Sequence, residues 1–130
     1  MTTSARMSRR ALVIRIAYGA LAVLLLAAIV LEARKHNAGY WQLAAFALGP
    51  DVALLYGFGA GLEKGRLHPR AVGLYNLLHR FWLPVALALV ASFQVVSVAW
   101  LIGALAWGLH VSIDRAVGYG LRTRDGFQRT

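Results

Sequence analysis

Four apolar runs, each close to twenty residues long, occupy most of this 130-residue chain. They cover about residues 12–31, 40–62, 71–91 and 95–118. A helix needs about 20 apolar residues to cross a hydrocarbon core of about 30 Å. In lipid such runs must be helices, because a small chain without strand-like alternation cannot close a barrel. The sequence therefore predicts one all-α domain over residues 1–130, a four-helix transmembrane bundle.

Composition and charge agree with a membrane protein. Hydrophobic residues make up 59% of the chain, and the mean hydropathy is +0.60. A formal net charge of +9 raises the question of nucleic acid, but the basic residues lie between the apolar runs, where they set topology and contact lipid headgroups. We therefore expect the lipid bilayer as a partner and no nucleic acid. The absence of cysteine excludes disulfides and thiolate metal ligands.

Lysine and arginine fall mainly on one side of the predicted bundle. The larger group comprises Arg6, Arg9, Arg10, Arg15, Lys64, Arg66, Arg70, Arg122, Arg124 and Arg129. Only Arg34 and Lys35 lie on the opposite side. Cytoplasmic loops of membrane proteins are enriched in these two residue types. Both termini are therefore predicted to be cytoplasmic.

Ionisable residues lie deep inside three of the four runs, whereas the first run carries only Arg15, near its start. The deep residues are Asp51 in the second run, His79 and Arg80 in the third, and His110, Asp114 and Arg115 in the fourth. An ionisable side chain at membrane depth costs about 2.5–3.5 kcal/mol, so such residues mark candidate sites. At the helical rise per residue, Asp51, His79 and His110 lie roughly 16, 14 and 12 Å from the cytoplasmic face. We expect these three side chains to share one layer.

Helical spacing places further polar residues beside this layer. Tyr75, Asn76 and His79 lie three and four residues apart, and such residues share one side of a helix. We therefore expect Tyr75 and Asn76 to contact the ligands without binding the metal themselves. Pro84 is expected to kink the third helix about a turn beyond His79.

Two interpretations compete for the polar cluster. In the first, two aspartates neutralise Arg80 and Arg115, and the histidines hydrogen-bond across helices, because isolated charges in lipid need partners. In the second, the cluster is a metal site, because imidazole and carboxylate are ordinary ligands of zinc and other divalent ions. Its ligands would be Asp51, His79, His110 and Asp114. Haem ligation by the two histidines and a proton relay are further alternatives.

Three segments carry a family resemblance: Gly49-Pro50-Asp51, the stretch from Gly73 to His79, and the stretch from Trp107 to Leu121. Together they resemble an uncharacterised bacterial membrane family, the domain of unknown function 4260, over roughly residues 15–128. The resemblance implies a small multi-span integral protein of the bacterial cytoplasmic membrane. It implies no settled activity.

The order of the polar residues carries a second likeness. Pro-Asp, then His-Arg, then His-x-x-x-Asp in successive helices is similar to the membrane-bound metal-dependent hydrolases. This likeness implies the metal-facing set Asp51, His79, His110 and Asp114. The sequence departs from that pattern in having Val52 directly after Asp51.

We therefore expect a metal-dependent hydrolase that acts on a membrane-associated substrate. A divalent ion such as zinc would lower the pKa of a water molecule toward about 7, and Arg80 or Arg115 would stabilise developing negative charge. The alternative is a non-enzymatic membrane protein, a small transporter or a structural subunit, whose buried ion pairs fix helix packing or relay protons. Small residues along the second run leave a homo-oligomer open as a further prediction.

Overall fold

A computed structural model describes residues 6–129, and within this range the regular structure is helical, with no β-strand. The helices are α1 (Arg9–His36), α2 (Tyr40–Leu48), α3 (Val52–Tyr56), α4 (Pro69–Leu78), α5 (Trp82–Ser92) and α6 (Val98–Val117), and a 3-10 turn, Gly49–Asp51, joins α2 to α3. The strand-like pairing in this range is an isolated antiparallel bridge between Arg122 and Gln128. The predicted all-α class is confirmed for the residues described.

The longest helix, α1, begins and ends at residues suited to those positions. The Ser8 hydroxyl accepts a hydrogen bond from the Ala11 amide at 3.0 Å, which satisfies a free N–H at the helix start. Asn37 follows the helix in the left-handed conformation with φ of 46°. The 28 residues between them extend about 42 Å, which is longer than the hydrocarbon core of a bilayer.

The last helix, α6, lies at the centre of the packing and contacts α1, α2 and α5. Arg15, near the start of α1, donates from Nε to the Ala116 carbonyl at the end of α6 at 2.7 Å, so these helices are antiparallel. α2 runs parallel to α6 and approaches it closely at Gly103, where a Cβ would lie 2.8 Å from the Phe46 ring. The buried core between α1 and α6 consists of Ile29, Ala33, Ile102 and Ala106.

The second apolar run is divided at Pro50. Proline has no N–H to donate and its ring crowds the preceding turn, so the chain passes through the 3-10 turn before α3 begins. Helix α3 ends at Tyr56 rather than continuing toward residue 62. A Cβ at Gly57 would overlap the Leu67 side chain, because the loop returns there to pack on Ala53.

The third apolar run is divided at His79, where α4 ends, and α5 begins at Trp82. In a regular helix, the Pro84 ring would clash with the carbonyl of the residue four positions earlier, Arg80. The disturbance therefore falls at residues 79–81, on the N-terminal side of Pro84. The kink expected about a turn beyond His79 thus lies at His79 itself.

Two stretches are long and apolar enough to cross a membrane. They are Arg9–His36 and Pro69–Ser92, with mean hydropathies of 2.5 and 1.4 over an 18-residue window. The second stretch comprises α4, α5 and the break between them. Large apolar side chains on α1 are exposed, among them Ile16, Leu24 and Leu31 at 62–68%.

The loop of residues 57–68 and the segment of residues 118–129 pack together at one end of the helices, and we call them the cap. The Leu67 amide donates to the Gly126 carbonyl at 2.9 Å, and Arg66 Nε donates to the Asp125 carbonyl at 2.7 Å. A Cβ at Gly126 would overlap the Leu67 carbonyl, and its φ is 98°, so glycine is required at this contact. The cap places the returning chain over the ends of α4 and α6.

Candidate metal centre

Four side chains converge where the two helix breaks meet α6. His79 Nε2 lies 3.3 Å from Asp51 Oδ1 and 3.3 Å from Asp114 Oδ2. His110 Nε2 lies 3.3 Å and 3.5 Å from the same two oxygens. The two Nε2 atoms are 3.2 Å apart, and one ligand atom from each residue falls within 4.8 Å of all the others. The structure thus brings together the four residues that the sequence analysis grouped as ligands.

The separations match the corners of one coordination shell. Zinc binds nitrogen and oxygen ligands at about 2.0–2.2 Å, so ligand atoms at the corners of a tetrahedron lie about 3.3–3.6 Å apart. Five of the six separations in this cluster are 3.2–3.5 Å. The sixth, between the carboxylate oxygens of Asp51 and Asp114, is at most 4.8 Å. One ion can therefore contact all four atoms without rearrangement of the backbone.

Backbone carbonyls fix which nitrogen of each imidazole faces the cluster. His79 Nδ1 lies 2.8 Å from the Tyr75 carbonyl, and His110 Nδ1 lies 2.7 Å from the Ala47 carbonyl. A carbonyl only accepts, so each Nδ1 must carry the proton and donate. In the neutral imidazoles both Nε2 atoms are then lone-pair acceptors. Four acceptors consequently face one another, an arrangement that needs a cation or additional protons between them.

The cluster is sheltered on the histidine side and open on the carboxylate side. The side chains of His79 and His110 are 2% and 9% exposed, whereas those of Asp114 and Asp51 are 23% and 48% exposed. A cavity of about 390 Å³ adjoins the two carboxylates. Its polar lining comprises Asp51, Tyr75, Asp114, Tyr119, Arg122 and Gln128. A small molecule can therefore reach the cluster from the side of the cap.

The helix break at His79 is held by side chains from α6. Trp107 Nε1 donates to the Leu78 carbonyl at 2.7 Å, and Arg115 Nη2 donates to the His79 carbonyl at 3.0 Å. These carbonyls lack regular helical partners because α4 ends there, and a carbonyl shielded from water requires a donor. The two α6 side chains thus position His79 through its backbone.

The two residues expected to support the ligands have different contacts. The Tyr75 ring stacks on the His79 imidazole, with centroids 3.9 Å apart and an interplanar angle of 15°. Asn76 instead holds the cap: its amide donates to the Arg122 carbonyl at 3.0 Å and accepts from the Arg122 amide at 2.7 Å. Tyr75 therefore contacts a ligand directly, and Asn76 orients the chain that lines the cavity.

The arginines occupy three different environments. Arg80 is exposed, Arg115 bonds the His79 backbone, and Arg122 lines the cavity. Among the described residues the ion pairs at the cluster join aspartate to histidine, and none joins aspartate to arginine. The neutralising pairs of the structural interpretation are thus not formed in this part of the chain. Sequence reasoning did not place Arg122, Tyr119 and Gln128 at the cavity. The signal available in the sequence was Gly118, a glycine at the end of the last apolar run. In the structure Gly118 has a φ of 98°, and the chain turns there after α6.

Comparison with known proteins identifies the family. The model described as Domain of unknown function (DUF4260) matches residues 12–130. The chain belongs to this family. The resemblance carried by the three sequence segments is therefore confirmed. No curated protein and no solved structure matches the DUF4260 chain, and the likeness to membrane-bound metal-dependent hydrolases is not shown by these comparisons.

Proposed function

We propose that this DUF4260 protein is an integral membrane enzyme that holds one divalent metal ion and hydrolyses a membrane-associated substrate. The observation that carries the proposal is the convergence of four acceptor atoms from Asp51, His79, His110 and Asp114. Their imidazole and carboxylate chemistry suits zinc or a similar ion. DUF4260 membership itself names no activity.

Charge balance favours a divalent ion over other cations. Two ionised carboxylates and two neutral imidazoles carry a charge of −2 together, so one divalent ion makes the cluster neutral. Burial of a neutral cluster avoids the cost of an uncompensated charge in a poorly solvated site. The 2% exposure of the His79 side chain makes this argument strongest on the histidine side.

The open side of the cluster suits hydrolysis. A divalent ion held there would acidify a water molecule near neutral pH once one carboxylate leaves the shell or a fifth position opens beside the carboxylates, because four protein ligands fill a tetrahedron. The cavity reaches the two carboxylates, and Arg122 in its wall is placed to stabilise negative charge that develops on a substrate oxygen. Arg115 acts by positioning His79 through its carbonyl. Stabilisation of the reacting group by Arg80 remains a prediction from the sequence.

The membrane setting extends the same proposal. We propose four spanning segments, with α2 and α3 completing the second and α6 forming the fourth, in the bacterial cytoplasmic membrane. The exposed apolar side chains of α1 support contact with lipid. The basic residues of the cap lie at the same end as Arg15, which supports cytoplasmic termini. The cavity then opens toward the cytoplasmic leaflet.

Elemental analysis of detergent-purified protein tests the metal centre. We expect one equivalent of a divalent metal per chain, and a loss of at least tenfold in affinity in His79→Ala and His110→Ala. His36→Ala is the matched control, because His36 is exposed and its ion pair among residues 6–129 is with Glu32 of the same helix. Folded wild-type protein that stays metal-free after incubation with zinc would overturn the metal centre.

An activity assay tests the enzymatic part separately. Mixed micelles of lipid esters and lipid phosphoesters are incubated with zinc-loaded protein, and product release is measured. We expect turnover that stops on chelation, returns with zinc and falls at least a hundredfold in Asp114→Asn. If the protein binds one equivalent of metal but turns over neither substrate class, the metal centre is supported and the hydrolase proposal is refuted.

One distance favours a second candidate, a proton-relaying membrane protein. The 3.2 Å separation of the two Nε2 atoms suits an N–H···N hydrogen bond in which one imidazole carries an extra proton. This function predicts pH-driven proton flux in liposomes without bound metal, and its loss in His110→Ala. A metal-loaded protein without such flux would reject it.

A further inference from the structure

A second polar cavity lies between α4 and the cap. It is an open groove of about 410 Å³, within the size range of about 300–1,000 Å³ that small-molecule sites occupy. Three arginines line it, Arg122, Arg124 and Arg129, and Gly73 and Asn76 contribute the facing wall from α4. No acidic side chain is among the described residues that line it. We call it the arginine groove.

The three cations form no ion pair with a carboxylate side chain in the described part of the chain. None of the aspartate and glutamate side chains described there lies within 4.0 Å of a guanidinium nitrogen of Arg122, Arg124 or Arg129. Arg124 and Arg129 are exposed, and their guanidinium groups make no hydrogen bond to residues 6–129. Three like charges around one opening repel one another, and an anion between them removes that repulsion.

The groove is held open by fixed parts. Arg122 is anchored by Nη1, which donates to the Gly65 and Gly126 carbonyls at 3.1 Å and 2.8 Å. The Asn76 side-chain amide bonds both the N–H and the C=O of the Arg122 backbone. On α4, a Cβ added to Gly73 would meet no atom within 4 Å, so the space between Gly73 and the arginines is open. An anion can therefore enter without displacing the cap.

We propose that the arginine groove binds a phosphate group. Guanidinium groups bind phosphate oxygens in pairs of parallel hydrogen bonds, and they keep their charge at every physiological pH. The phosphate can belong to a phospholipid headgroup of the cytoplasmic leaflet, where basic pockets beside membrane helices bind such groups, or to free phosphate. The four metal ligands contribute nothing to this groove, and Arg122 lines both the groove and the cavity beside the metal centre. The proposal goes beyond the hydrolase because Arg124 and Arg129 line only the groove, and the charge-deleting variant therefore changes these two residues.

Binding is measured on the full chain in a zwitterionic detergent with two probes, inorganic phosphate and dihexanoyl phosphatidic acid. Tryptophan fluorescence or calorimetry gives the Kd at 50 mM and 300 mM salt. Two variants remove the groove in different ways: Arg124→Gln/Arg129→Gln deletes two cations, and Gly73→Leu fills the space while keeping every charge. Arg9→Gln/Arg10→Gln is the matched control, because it removes two exposed arginines at the same end of the molecule.

We expect the wild-type protein to bind at least one probe, with a Kd at least tenfold higher in both groove variants and within twofold of wild type in the control. Binding of phosphatidic acid alone assigns the site to a lipid headgroup, and equal binding of both probes assigns it to free phosphate. Loss of metal by chelation should leave either Kd unchanged. Absence of binding to both probes, or equal weakening in the control, would overturn the proposal. Unaltered binding in Gly73→Leu would likewise overturn it, because the groove would not be the place of binding.

Discussion

Asp51→Asn separates the metal centre from a purely structural network, because its effect on stability should change sign with metal. With zinc present, the variant loses a charged ligand and should melt below wild type. With zinc removed, the carboxylate of wild type faces two imidazole acceptors at 3.3 Å. The asparagine amide can donate to one of them and carries no charge. The variant should then melt above wild type.

The size of both effects follows from the geometry. An ion present at 100 times its Kd stabilises the folded chain by about 2.7 kcal/mol. For a chain of this length, about 1 kcal/mol corresponds to a change in Tm of about 4 °C. Chelation should therefore lower the Tm of wild type by about 10 °C. Without metal, one new hydrogen bond of about 1 kcal/mol should raise the Tm of Asp51→Asn above wild type by about 4 °C.

Differential scanning fluorimetry in detergent, with EDTA or with excess zinc, measures all four values. Asp125→Asn controls for the loss of one carboxylate, because Asp125 lies in the cap and contacts its neighbours through its backbone carbonyl. The reasoning is refuted if Asp51→Asn melts below wild type under both conditions. A wild-type Tm that does not respond to EDTA or zinc would refute it as well.

Three further outcomes follow from the packing around the ligands. Tyr75→Ala should lower the free energy of unfolding by about 3–5 kcal/mol and weaken zinc binding. Tyr75→Phe keeps the ring on His79 and should change neither quantity. Equal losses of stability in the two variants, measured by chemical denaturation, would contradict this prediction. Trp107→Phe leaves the Leu78 carbonyl without its donor and should cost about 1–3 kcal/mol in the same assay. Pro84→Ala lets the helix continue through residues 79–81 and should weaken zinc binding by about 10–100-fold in a chelator competition, and unchanged affinity would show that the break is not needed.

The grouping of the ligands could be predicted because Asp51, His79 and His110 lie at similar distances from the ends of their apolar runs. The depths calculated from the helical rise assume unbroken helices, whereas α3 ends at Tyr56 and α4 ends at Leu78. The proline signals were also readable, since Pro50 and Pro84 lie one to five residues from a ligand. Local chemistry and simple geometry were sufficient for this part of the site.

The cavity wall could not be predicted in the same way. Arg122 reaches it only because the chain turns at Gly118 and then pairs with Asn76, a contact between residues 46 positions apart. No local periodicity encodes that pairing. The same holds for Arg115, whose partner is a backbone carbonyl that exists as a free acceptor only after the helix breaks at His79.

The wide spacing of the ligands along the chain has a consequence for biogenesis. Asp51 and His79 emerge from the ribosome early, whereas the third and fourth ligands belong to the last helix. Ion capture couples to folding, so a nascent chain lacking α6 offers at most half of the coordination shell. On the proposed function, ion capture therefore requires α6, and a product terminated before α6 remains an apo intermediate exposed to quality-control proteolysis.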